Sequence, residues 1–122
     1  MLFVAAGLVA VLAIAHSVIG ELRLIRPIAA RDDLPPLYGT TAFTGATLRF
    51  AWHVTSVLAL GLAVLLTEIA VDAPPEALAP TIGWTLIACG ILPLVYTRGR
   101  HVAWAVFFAA GVLCLVPFPA PA

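Results

Sequence analysis

The chain has 122 residues, enough for one domain, with 63% hydrophobic and 10% charged residues and a mean hydropathy of +1.13. Average soluble domains carry roughly 25% charged residues, so a globule covered by water is excluded and a bilayer is the fitting solvent. Six Arg and no Lys balance six acidic residues to zero net charge; nucleic acid is thereby excluded as a partner, and no glycine-rich phosphate loop supports nucleotide chemistry.

Taken in chain order, the first apolar run covers about residues 2–20. Its Ala13-Ile14-Ala15 resembles a leader-cleavage site, but no positive charge precedes the run, so it reads as a retained membrane helix. Ala6, Ala10, Ala13, Ser17 and Gly20 alternate at spacings of four and three, one small-residue stripe on which another backbone can lie. A link over about residues 21–47 follows, with Arg23, Arg26 and Arg31 and with Leu22, Leu24, Ile25 and Ile28 interleaved. This pattern predicts a helical extension or a segment lying in the interface. Leu34-Pro35-Pro36-Leu37-Tyr38-Gly39 reads as a turn, and Thr44 or Thr47 is placed to cap the next helix.

The second run covers about residues 48–71 and the third about 81–97, where Pro93 predicts a kink. The fourth covers about 101–116 and is rich in small residues, and the proline-rich tail from Pro117 to Pro121 cannot continue it. Each run approaches the roughly 17–25 residues of a membrane helix. The expected fold is therefore all-α, an integral membrane four-helix bundle in a single domain.

All the basic residues flank the first and third links: Arg23, Arg26, Arg31 and Arg49 around one, Arg98 and Arg100 in the other. The second link, from Asp72 to Glu76, has none. The positive-inside rule then puts the arginine-bearing links in the cytoplasm and both termini outside, in the periplasm. Trp52, Tyr96 and Trp104 near one end and Trp84 near the other suit headgroup-level anchors. Arg23, Arg26, Arg31, Arg98 and Arg100 are expected to set topology and to meet lipid headgroups. Glu68 is expected to reach toward the outer interface.

That topology sets His16, His53 and His101 at a similar depth, with Glu21 one turn beyond His16, Arg49 four residues before His53, and the hydroxyls of Ser17 and Ser56 nearby. Polar residues in a membrane turn inward and often mark function. Imidazole ligates zinc, copper, iron and nickel, and two of them on facing helices can hold haem iron. A transition-metal or haem b site with His16, His53, His101 and Glu21 as ligands, supported by Arg49, Ser17 and Ser56, is the leading expectation. Against it stand plainer roles: backbone or headgroup bonding for each His, and an ion pair between Glu21 and Arg49 that locks two helices. The same His and Glu residues are also able to pass protons. Cys89 and Cys114 read as packing residues, and no nucleophile–base pair suggests an enzyme.

The stretch His16-Ser17-Val18-Ile19-Gly20-Glu21, with Leu37-Tyr38-Gly39 and Thr47-Leu48-Arg49-Phe50-Ala51-Trp52-His53, resembles a group of uncharacterised small four-helix bacterial inner-membrane proteins with an HSxxGE…LRFAWH pattern. The resemblance covers roughly the first half of the chain. It implies a bacterial inner membrane and supplies no catalytic residue. Three function classes follow: a metal or haem protein, a non-catalytic accessory subunit of a larger membrane complex, and a small homo-oligomeric transporter or proton channel. Membrane lipids and further copies of the chain, or a larger complex, are the expected partners.

Overall fold

A computed structural model describes residues 1–116. The described chain is all-α, with four helices in sequence. Helix α1 runs unbroken over Leu2–Ala29, α2 over Thr41–Ala70, α3 over Pro75–Tyr96 and α4 over Ala103–Leu115. The first three are long and apolar enough to cross a membrane. At 1.5 Å per residue, the 22 residues of α3 reach about 33 Å, against a hydrocarbon core of about 30 Å. The 13 residues of α4 reach only about 20 Å. The Pro117–Pro121 tail lies outside the described residues.

Element boundaries depart from the sequence reading for local reasons. Most of the first link is helix. Helix α1 opens into a π turn over Glu21–Ile25 and then closes again into an α turn over Arg26–Ala29. Pro27 offers no N–H to the Arg23 carbonyl and its ring crowds that oxygen, so the preceding turn widens; there the Arg26 N–H reaches the Glu21 carbonyl. Helix α2 starts seven residues earlier than expected. Its cap is neither Thr44 nor Thr47 but Thr40, whose hydroxyl accepts the Phe43 N–H at 3.2 Å. Helix α3 also starts early, because Pro75 sits in its first turn, where a missing N–H costs nothing. It continues through Pro80 and Pro93.

Between α1 and α2 the chain turns at Tyr38 and Gly39, both at positive φ (47° and 80°), with Leu37 paired to Thr40. Thr44 holds this turn. Its buried hydroxyl donates to the Pro35 carbonyl (2.5 Å) and accepts the Leu37 N–H (3.0 Å). Thr44→Val keeps the shape and orphans both backbone groups, so it should cost about 1–3 kcal/mol. Unfolding in detergent, with Thr44→Ser as a near-neutral control, checks this; equal stability of the Val and Ser variants would remove Thr44 as the clasp.

The helices pack in series. Helix α1 lies on α2, α2 on α3 and α3 on α4; among the described residues no other pair of helices packs. The four-helix bundle is packed in that order, and α2 carries a helix on each side with a cleft between them. Small residues set the closest approaches. A Cβ on Gly20 would fall on the Trp52 indole, and one on Gly111 would stand 2.8 Å from the Gly83 carbonyl oxygen. Both arginine-bearing links lie at one end, since the Arg100 guanidinium stands 5.2 Å over the ring of Phe43 in the first turn of α2.

Candidate functional site

The polar residues of α1 and α2 meet at that same end. On α2, Arg49, His53 and Ser56 recur at spacings of four and three, which aligns them on one face of a 3.6-residue helix. On α1, Ala13, Ser17 and Gly20 follow the same rhythm; Ala13 and Gly20 are buried under α2 and clear room for longer side chains beside them.

Glu21 is the hub. One carboxylate oxygen takes Arg49 Nη2 at 3.0 Å, and the other takes Arg49 Nε at 3.2 Å. This is the two-pronged fork of a guanidinium on a carboxylate, stronger than two neutral hydrogen bonds. The second oxygen also faces His53 Nε2 at 3.3 Å. The other ring nitrogen of His53, Nδ1, lies 2.6 Å from the Ser17 hydroxyl. With Nε2–H aimed at the carboxylate, Nδ1 is the lone-pair nitrogen of a neutral ring and Ser17 donates to it; a proton gained at Nδ1 reverses that bond. Glu21, His53 and Ser17 thus form one hydrogen-bonded line.

His16 forms a mirrored pair, its Nδ1 standing 2.9 Å from the Ser56 hydroxyl. Each helix therefore offers one imidazole and one serine to the other. The ring of His16 lies flat on the Trp52 indole (4.1 Å, 7°), and the indole N–H donates to the His16 carbonyl at 3.0 Å. Only a glycine at position 20 leaves space for that indole.

The structure thus gathers His16, Ser17, Glu21, Arg49, His53 and Ser56. It places His101 elsewhere. Nδ1 of His101 accepts the Ala103 N–H at 3.2 Å, capping α4, and its ring meets Phe50 edge-on at 4.9 Å. Among the described residues no group of three His, Cys, Asp or Glu side chains is arranged to hold a metal ion. Arg31 pairs with Asp33 (Nε to Oδ1 2.7 Å) on the exposed link, and this bond holds the Asp33 carboxyl below its usual range. Arg23, Arg26, Arg98 and Arg100 are exposed. At the far end, Thr81 donates to one oxygen of Glu68, whose other oxygen is buried with no partner among the described residues.

Two residues of the site carried no sequence signal beyond that of interfacial anchors. Trp52 backs His16. Tyr96 on α3 brings its ring parallel to that of His53 (6.3 Å, 15°). Above the hydrogen-bonded line, the cleft between α1 and α3 forms an open groove of about 410 Å³, reached by Ser17, His53, Ser56 and Tyr96.

No protein-family model, curated protein or solved structure matches the chain.

Proposed function

We propose that the protein is a proton-transfer protein of the bacterial inner membrane, crossing it four times with its arginine-bearing end in the cytoplasm. Glu21, His53 and Ser17 form the path. The observation that carries this reading is the unbroken line from the Glu21 carboxylate (3.3 Å) through both nitrogens of one imidazole to the Ser17 hydroxyl (2.6 Å). When the ring carries its proton on Nδ1, a proton arriving on Glu21 passes to His53 Nε2 while Nδ1 gives its own to Ser17, whose hydroxyl releases one in turn into the groove. The imidazole then resets by exchanging tautomers. Arg49 fixes the carboxylate and keeps its charge compensated in a poorly solvated place. The path moves a proton one helical turn, about 6 Å, along α1 into the groove.

The metal or haem reading uses the same imidazoles. Both nitrogens of His53 are already engaged, by Ser17 and by Glu21, and Nδ1 of His16 by Ser56. Ligation at His53 requires breaking one of those bonds, whereas proton transfer runs along them. This is why the geometry favours protons.

The test is proton flux into proteoliposomes carrying an internal pH-sensitive dye under an imposed potential. The wild type should exceed empty liposomes, and His53→Gln, which keeps hydrogen bonding but does not titrate, should lose at least tenfold of the excess. Flux equal in the two proteins removes the path, and a Soret band or stoichiometric metal on purified protein would restore the ligand reading.

A further inference from the structure

The inner end of the proton path opens into the groove between α1 and α3, and the lining of that groove specifies an occupant. Four polar side chains, Ser17, His53, Ser56 and Tyr96, share it with an apolar remainder that includes Ile14, Val57, Leu60 and Leu92. A volume of about 410 Å³ lies within the roughly 300–1,000 Å³ of small-molecule sites, which combine apolar walls with a few placed polar groups. No permanently charged side chain lines the groove. The Arg49 guanidinium, on the helix that carries His53, is spent on Glu21. An anionic headgroup therefore meets no counter-charge, and a bare acyl chain leaves the Tyr96 phenol without a partner, the other three being bonded within the site.

A neutral ring carrying hydrogen-bond acceptors satisfies both halves of the groove. The faces of His53 and Tyr96 are near-parallel, 15° apart, which suits a flat ring over a branched head. The Tyr96 phenol, on a residue 38% exposed, is a donor for a ring carbonyl. Because α1 and α3 each pack on α2 and not on one another, the groove is open along the helices, and a tail has a way out into lipid.

We propose that this groove binds the ring of a lipid-soluble quinone, held by the Tyr96 phenol and, when His53 carries its proton on Nδ1, by the Ser17 hydroxyl thereby freed to donate, with its tail leaving past Leu92 into the bilayer. The proposal deepens the proton-transfer reading by naming what meets the path at its inner end; it concerns binding alone.

The experiment is photolabelling of the full chain in phospholipid nanodiscs with an azido-benzoquinone bearing a ten-carbon tail, with labelled peptides mapped by mass spectrometry. Labelling should saturate, fall on the groove-lining segments of α1, α2 and α3, and be displaced by unlabelled decyl-benzoquinone. Leu92→Trp, which fills the groove, should weaken it at least tenfold. Tyr96→Phe, which removes only a hydroxyl and spares the fold, should weaken it about three- to tenfold. Labelling that never saturates, that spreads over lipid-facing residues, or that dodecane displaces as well as decyl-benzoquinone does overturns the proposal, the last by showing a groove for acyl chains. Saturable labelling with flux indifferent to His53 removes the proton path and leaves this site standing. Glu-dependent flux without saturable labelling removes this site alone.

Discussion

Glu21→Gln should abolish proton flux and destabilise the protein, and the two losses should separate in a double variant. Glutamine keeps the size of the side chain but neither titrates nor neutralises Arg49. The Arg49 guanidinium, 29% exposed and forked onto Glu21, is then left without a counter-charge. Removing one partner of a buried pair costs about 3–5 kcal/mol; with both groups partly solvated, about 2 kcal/mol is expected here. Glu21→Gln/Arg49→Gln removes the stranded charge and should recover most of that stability. Flux should stay at least tenfold down in both variants, because no titratable group then faces His53 Nε2. Denaturant unfolding in detergent and the liposome assay read the two effects independently. Should the double variant regain flux along with stability, Glu21 serves only as a lock between α1 and α2.

A single methyl group at Gly111 should loosen α4 from α3. Alanine normally improves a helix interior by about 1 kcal/mol over glycine. At Gly7, where an added Cβ meets nothing within 4 Å, Gly7→Ala should stabilise by about that amount. At Gly111 the sign reverses. The added Cβ would stand 2.8 Å from the Gly83 carbonyl oxygen and 3.2 Å from the Ile87 nitrogen, both backbone atoms that cannot rotate away. The helices must part, losing the close contact that holds helices together where lipid is as apolar as leucine. Gly111→Ala should therefore cost about 2 kcal/mol, within the range for overpacking. Equal unfolding midpoints for Gly111→Ala and Gly7→Ala would show that α4 shifts freely on α3.

Some of the site was legible before any geometry. Arg49 and His53, four residues apart, had to share a face of one helix. Glu21 and His16 had to lie within about a turn of one another. The exchange of partners was not legible: His16 with Ser56 and His53 with Ser17 are pairings across helices, 40 and 36 residues apart. Trp52 and Tyr96 were read from the general habit of aromatics at interfaces, whereas one backs His16 and the other faces His53. His101 shares its residue type with the other two but spends its ring nitrogen on a helix start.

Composition and helical period are properties of short stretches, and the sequence by itself determined what depends on them. These are an all-helical chain for a lipid solvent, arginines gathered at one end, and the axial level of His16, Glu21, Arg49 and His53. Rotation of each helix about its axis is another matter. In a helix apolar all round, hydrophobic periodicity points nowhere, and each residue of error turns a side chain by about 100°. Only the tertiary structure fixed that rotation, through the seat of the Trp52 indole on Gly20 and the backbone approach of Gly83 and Gly111. It thereby joined Glu21, His53 and Ser17 into a line, turned His101 to the start of α4, and left a groove between α1 and α3.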